Sequence, residues 1–267
     1  MKVAIIGAGN MGGAIARGLA RGTKVRAVDI TVANPSRGKL EALQAEFPEI
    51  NVTDDNRAAV HGADFIVLAV KPWKVCEVID ELRDGLDYTR QAVVSVAAGI
   101  GTAQLSEWLD KGDGRFPAVY YMIPNTAVAV MNSMTFIAAG HSVPELDGQL
   151  LGMFRKLGDA MMVEERLMPA CMALASCGIA YVMRYIRAAT EGGVELGLYA
   201  QDAQRIMLQT MRGAVELLAH NGSHPEAEID KVTTPGGLTI RGLNAMEEAG
   251  FTSSVIKGLR SSVVVKK

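Results

Sequence analysis

The feature that most constrains this chain lies at its start. Val3-Ala4-Ile5-Ile6 is a short, apolar, β-rich run that leads directly into Gly7-Ala8-Gly9-Asn10-Met11-Gly12. Beyond it Met11, Ile15 and Leu19 repeat at a helical period through Arg21. A strand, three spaced glycines and a helix make the first turn of a dinucleotide-binding βαβ unit. Gly7 permits the tight turn, Gly9 lets the backbone approach a pyrophosphate, and Gly12 allows close helix–sheet packing. The helix then offers unpaired N–H groups and the positive end of its dipole to the phosphates. Gly7, Ala8, Gly9, Asn10, Met11 and Gly12 are the candidate cradle. The alternative is a glycine-rich turn in an α/β protein that binds nothing.

The same rhythm continues. Strand-like runs recur at Ile30–Ala33, Asp64–Val70, Ala92–Ala97 and Ala118–Met122, with helical patterns at Arg37–Phe47 and Val75–Leu82 between them. This alternation predicts a Rossmann-type, doubly wound α/β domain over residues 1–163, its mostly parallel sheet covered on both faces. After Val163 the strand signals stop. Pro169–Leu196, Gln201–Ala219, Leu238–Glu248 and Ser253–Val263 all read as helices, so residues 164–267 are expected to form an all-helical second domain. Met168, Met172, Leu174, Ile179, Val182, Met183 and Ile186 cover more than one face of the first long helix. A helix apolar on several sides wants burial on several sides. A homodimer through these helices supplies that burial; coverage by the first domain is the alternative.

Composition narrows the partners. The net charge of −2 gives no electrostatic reason to expect nucleic acid or an anionic membrane surface. The longest apolar stretches are cut by charge or glycine, so no segment reads as a membrane-crossing helix. No leader precedes the first strand, and a cytoplasmic location is expected. Cys76, Cys171 and Cys177 form no CxxC pair and read as buried, reduced thiols. His220 and His224 have metal-compatible spacing, yet Gly222 and Pro225 break the helix that spacing needs, so no metal is expected.

The end of the second strand bears on the cofactor. Asp29 has the spacing of a ribose-binding carboxylate, but the apolar run continues past it through Ile30, Val32 and Ala33. Asp29 then falls at the start of the strand, and Asn34, Ser36 and Arg37 fall at its end. Neutral and positive residues there suit a 2′-phosphate, which favours NADP(H), with NAD(H) as the alternative. Val70, Lys71 and Pro72 end the fourth strand and Ala98 follows the fifth. Ligands of such sheets bind at strand C-termini near the topological switch point.

In the helical half, Val232-Thr233-Thr234-Pro235-Gly236-Gly237-Leu238-Thr239 precedes a helix carrying Ile240, Leu243 and Met246. Thr, Pro and paired glycines at a helix start form an anion cradle of backbone amides, or simply a capped turn. From Leu157 to Asp230 there is no lysine and, before His220, no histidine. Reduction of a ketone needs a strong proton donor at the oxygen, usually one of these. A C=N substrate needs less, because its nitrogen can already carry a proton when hydride arrives.

Together these blocks resemble the pyrroline-5-carboxylate reductase family over nearly the whole chain. The resemblance rests on Gly7–Gly12, Asn34-Pro35-Ser36, Ala69–Pro72, Ser95–Gly99, Pro124-Asn125-Thr126 and Thr233–Thr239, followed by Glu247 to Phe251. It implies reduction of 1-pyrroline-5-carboxylate to L-proline with NAD(P)H. It implies that the glycine loop holds the pyrophosphate and that Asn34 and Ser36 lie by the adenosine ribose or its phosphate. Asn56 would lie near the nucleotide, and Val70, Lys71 and Ala98 would line the nicotinamide half. Thr239 would hydrogen-bond the ring nitrogen, and Thr234 with the amides of Gly237 and Leu238 would take the carboxylate. Glu165 and Lys231 would border the substrate. The family's second domain dimerises by interlocking helices, and its dimers often assemble into decamers. Two departures stand out: Ser176-Cys177-Gly178-Ile179-Ala180-Tyr181 where the family shows Gly-Ser-Gly-Pro-Ala-Tyr, and Ala127 where it shows proline. The competing readings are a reductase of another small imine or keto acid, and a non-catalytic nucleotide-sensing dimer.

Overall fold

The β-rich runs pair into one eight-stranded sheet in the computed structural model, which describes residues 1–263. The chain divides into two units, Met1–Ser176 and the helical stretch from Cys177 onward. In the first, β1 (Val3–Ile6) leads through α1 (Asn10–Arg21) to β2 (Ile30–Ala33), α2 (Arg37–Glu46), β3 (Asn51–Thr53) and α3 (Asn56–Val60). Then come β4 (Phe65–Leu68), α4 (Val75–Leu82), β5 (Ala92–Ser95), α5 (Thr102–Leu109) and β6 (Ala118–Ile123). The unit ends with β7 (Ser133–Ala139), α6 (Pro144–Arg155), β8 (Gly158–Met162) and α7 (Met168–Cys171). The strand order is β3-β2-β1-β4-β5-β6-β7-β8; β7 runs antiparallel to β6, and the other pairs are parallel.

Strand alternation builds two cores. Val3, Ile5, Val32, Phe65, Val67 and Val94 face Ile15, Leu19, Leu40, Leu43, Met153 and Phe154 of α1, α2 and α6. Ala4, Ile6, Ile66, Leu68, Val93 and Val119 face Val60, Val75, Ile79, Leu82, Leu105 and Leu109 of α3, α4 and α5. Strands buried on both faces read as continuous apolar runs, as β1 and β4 do. The order reverses at β1, which lies between β2 and β4, so the switch point opens beyond Ile6 and Leu68.

Three strands have no counterpart among the sequence expectations. β3 is a three-residue edge strand, and β8, Gly-Asp-Ala-Met-Met, has almost no β-forming residues; pairing with β2 and β7 makes them strands. β7, with its Ser, Thr and Phe, pairs antiparallel and breaks the βαβ rhythm.

The expected Pro169–Leu196 helix runs from α7 through a π-helical stretch, Met172–Cys177, into α8 (Gly178–Glu195), the first helix of the second unit. α9 (Ala200–Asn221), α10 (Pro225–Lys231), α11 (Leu238–Glu248) and α12 (Phe251–Ser261) follow. α8 and α9 pack along each other, α12 packs on α11, and Tyr185 meets Phe251 edge-on with ring centres 6.3 Å apart. Among the described residues of this unit only Thr190 and Ala203 are buried, while Val182, Met183, Val194, Ile206, Leu208, Val215 and Ile256 are exposed.

Two sequence expectations need correction. The helical run Glu165–Glu195 is 31 residues long, with a mean hydropathy of 1.4 over its most apolar window. That is long and apolar enough to cross a membrane: only a few charges interrupt it, and its glycines are accommodated within the helix. The three cysteines are free thiols but partly exposed rather than buried.

Gly18 tests the packing that seats α1. A Cβ there would overlap the Val128 carbonyl, which belongs to the short 3-10 turn Thr126–Val130. Gly18→Ala should therefore destabilise the protein by about 1–3 kcal/mol, read as a drop in the midpoint of thermal unfolding. An unchanged midpoint would show that this contact can relax.

Candidate active site

The first candidate site follows from where β1 ends. Gly7 has φ +106°, a conformation that L side chains rarely adopt, and a Cβ there would lie 2.7 Å from the Ala69 carbonyl oxygen. A Cβ on Gly12 would overlap the Gly7 carbonyl oxygen. These two glycines are demanded by the chain itself. Gly9 is different: its φ of −72° suits any residue, and a Cβ there would meet nothing within 4 Å. Open space over a backbone that ends in the uncapped first turn of α1 is the room a pyrophosphate needs. The residues present therefore fit a dinucleotide.

Asn34 holds this loop from beneath. Its Oδ1 accepts the Ala8 N–H (3.0 Å) and its Nδ2 donates to the Ser36 carbonyl (3.2 Å), so one buried amide joins the glycine loop to the turn opening α2. Ser36 is the exposed N-terminal flank of α2, and Arg37, its first residue, pairs with Asp54 at 3.5 Å. Both partners are well exposed, so the pair contributes little and is easily exchanged. Asp29 lies ahead of β2, and its carboxylate takes Arg26 at 2.7 and 3.1 Å. Asn56 opens α3 with its side-chain amide donated to Glu81 (2.9 Å).

Val70, Lys71 and Pro72 follow β4, with Lys71 exposed and Pro72 starting a short 3-10 turn. Ala98 is exposed beyond β5. The loop it sits on is held by Glu165 together with two residues that sequence reasoning missed, Tyr121 and Thr102. The Tyr121 hydroxyl accepts the Gly99 N–H (3.2 Å); burial pushes this phenol above its ordinary range, so it stays protonated. Glu165 turns its carboxylate onto Thr102, accepting from the amide (3.2 Å to each oxygen) and the hydroxyl (2.5 Å). It caps α5, whose own N-terminal flank is Gly101. Tyr121 is hidden in an apolar run and Thr102 in an unremarked loop, so neither had a local signal.

In the second unit, Thr234-Pro235-Gly236-Gly237 forms a tight turn: the Gly237 N–H reaches the Thr234 carbonyl (2.9 Å), and Gly236 has φ +71°. Proline followed by a left-handed glycine is the type II pattern. Gly237 then flanks α11 without a side-chain cap, so the first-turn amides from Leu238 and Thr239 face an exposed turn. The Thr234 hydroxyl lies against Gly237, where a Cβ would come within 2.6 Å of it. The turn thus gathers Thr234, Gly237, Leu238 and Thr239 at one exposed, uncapped helix start, a candidate anion cradle. Lys231 lies three residues before Thr234, but its ammonium is held by Glu228 at 2.7 Å.

A cavity of about 790 Å³ lies elsewhere, at the N-terminal ends of β4 and β5, lined by Arg57, Val60, Glu81 and Gln91 among others. Some of its polar groups are paired: Gln91 donates to the Val60 and Ala63 carbonyls, and Arg57 to the Glu81 carbonyl. It is remote from the glycine turn, which sits at the opposite strand ends.

Residues 165–267 match the family model for pyrroline-5-carboxylate reductase dimerisation, and residues 2–99 match that for coenzyme F420-dependent NADP oxidoreductases. Pyrroline-5-carboxylate reductase 2 of Dictyostelium discoideum is 36% identical, over 97% of this chain and 89% of that protein. The chain belongs to the pyrroline-5-carboxylate reductase family. Pyrroline-5-carboxylate reductase 1 of the same organism is 38% identical over 97% of this chain, which spans about half (48%) of that longer relative. Among solved structures, a pyrroline-5-carboxylate reductase from Coxiella burnetii superposes with a TM-score of 0.85 at 29% identity, covering 98% of this chain and 96% of that one. Against the pyrroline-5-carboxylate reductase pattern, the departure at Ser176-Cys177-Gly178 falls at the junction of the π-helical stretch and α8. Ala127, the other departure, lies in the 3-10 turn after Asn125, where its N–H is taken by the Asn125 side chain (3.0 Å).

Proposed function

We propose that this protein reduces 1-pyrroline-5-carboxylate to L-proline with NAD(P)H, the last step of proline biosynthesis, and acts as a cytoplasmic homo-oligomer. The observation that carries the reading is the Thr234–Gly237 turn opening α11 with Thr239 on its first turn, in a chain whose relatives bear that enzyme's name.

Gly7 through Gly12 hold the pyrophosphate, with Asn56 near the nucleotide, and Val70, Lys71, Pro72 and Ala98 border the nicotinamide half. When bound, the reduced nicotinamide supplies the hydride. Thr234 and the amides of Gly237 and Leu238 anchor the substrate carboxylate, and Glu165 and Lys231 border the substrate. The Thr239 hydroxyl hydrogen-bonds the ring nitrogen. The nitrogen of the imine is already protonated, so its carbon accepts hydride without a lysine or histidine acid; positioning does most of the work.

NADP(H) is favoured over NAD(H) because no carboxylate stands at the end of β2. Asp29 is engaged by Arg26 ahead of the strand, and Asn34, Ser36 and Arg37 follow it. A 2′-phosphate can take Arg37 from its exposed Asp54 partner, since charge-assisted bonds to phosphate are stronger. A second copy of the chain, through residues 165–267, covers the apolar helices and accounts for the long apolar helix without a bilayer. The exposed Arg184 and Arg187 of α8 agree with this assignment. Decamers built from such dimers belong to the same reading.

Purified protein should oxidise NADPH only when the cyclic imine is added, and Thr239→Val should lower kcat by about ten- to a hundredfold while nucleotide binding persists. No turnover in the wild type would overturn the reading; full turnover in Thr239→Val would remove that hydroxyl from the mechanism. Arg37→Ala should raise the KM for NADPH by about tenfold and change that for NADH little. Equal losses for both nucleotides would defeat the 2′-phosphate assignment.

A further inference from the structure

Glu228 is a small hub that the reaction as described does not use. Its carboxylate, with the side chain 15% exposed, accepts from Asn221 Nδ2 (3.0 Å), from the Ser223 hydroxyl and from Lys231 Nζ (2.7 Å). Asn221 ends α9, Ser223 lies in the connecting turn and Lys231 ends α10. One carboxylate therefore ties the end of α9 and the connecting turn to α10. Three donors, Lys231 foremost, hold it ionised, with its pKa pushed down to about 2. The fixed helix leads directly into the carboxylate cradle: the Thr233 hydroxyl donates back to the Ile229 carbonyl (2.7 Å), extending the last turn of α10 to within one residue of Thr234.

We infer that Glu228 is a positioning residue for substrate binding. By engaging Lys231 and bridging α9 to α10, it sets the Thr234–Gly237 turn and confines the nearby ammonium. The claim rests on the reading that this turn binds the substrate's carboxylate. Under it, carboxylate recognition depends on the turn's geometry, and Lys231 acts through Glu228 and not as an independent charge. Neutral replacement of Glu228 loosens the turn and releases Lys231 together.

A double-mutant cycle tests this in the full-length protein with NADPH and 1-pyrroline-5-carboxylate. Glu228→Gln keeps the size of the side chain and one acceptor oxygen but removes its charge. It should raise the KM for the imine by about three- to tenfold, more than it lowers kcat, and leave the KM for NADPH nearly unchanged. Lys231→Met should raise the imine KM less, and the double variant should be no worse than Glu228→Gln alone, because both substitutions break one coupled pair. Additive effects, or an imine KM unchanged in Glu228→Gln, would overturn the inference. So would equal rises in both KM values. Far-ultraviolet circular dichroism and sedimentation confirm that each variant remains folded and assembled. Failure of the wild type to reduce the imine is a separate result, and it would count against the proposed function instead.

Discussion

The close approach of two chain segments at the end of β1 is the constraint on which the first unit depends. The Gly7 turn lies against Ala69, and α1 sits so near the turn that Gly12 has no room for a side chain. Because β1 is flanked by β2 and β4, this contact also fixes the crevice at the switch point. From there the consequences are local. Asn34 transfers the position of the glycine loop to the start of α2, and Tyr121 and Glu165 hold the loop after β5. One side of the crevice is therefore set by backbone sterics and the other by side-chain hydrogen bonds.

The helical unit obeys a different constraint. Its helices are apolar on more faces than the chain buries, with only Thr190 and Ala203 enclosed among its described residues. Apolar area of this extent calls for a partner surface, and the match of residues 165–267 to a dimerisation family supplies the natural one. The cradle before α11 is ordered locally by the proline–glycine turn, by Thr233 and by the Glu228 hub. Both candidate sites thus use the same device, a helix start whose amides are left without a side-chain cap.

Much of this was legible in the sequence because the signals were local. The glycine spacing placed α1, the apolar run placed β2 after Asp29, and turn chemistry marked the start of α11. What escaped depended on distant partners. β8 is a strand because β7 pairs with it, not because Ala and Met prefer to be one. Glu165 and Thr102 are 63 positions apart, and no spacing rule joins them. Lys231 comes near the substrate only through the family resemblance, while its engagement by Glu228 required the fold of α10. The apolar helix from Glu165 runs through its glycines, which within a long helix add little polarity and do not end it, so a pattern cut at each glycine understates its length.

Gly9 separates what the chain needs for itself from what it needs for a guest. Alanine there meets no protein atom and requires no unusual backbone angle, so Gly9→Ala should melt like the wild type. Titration with NADPH, followed by quenching of intrinsic fluorescence, should then show affinity weakened by more than about tenfold, because the added methyl occupies the space of the pyrophosphate. NADPH affinity equal to that of the wild type would contradict the account, since the glycine loop would then not be where the dinucleotide binds.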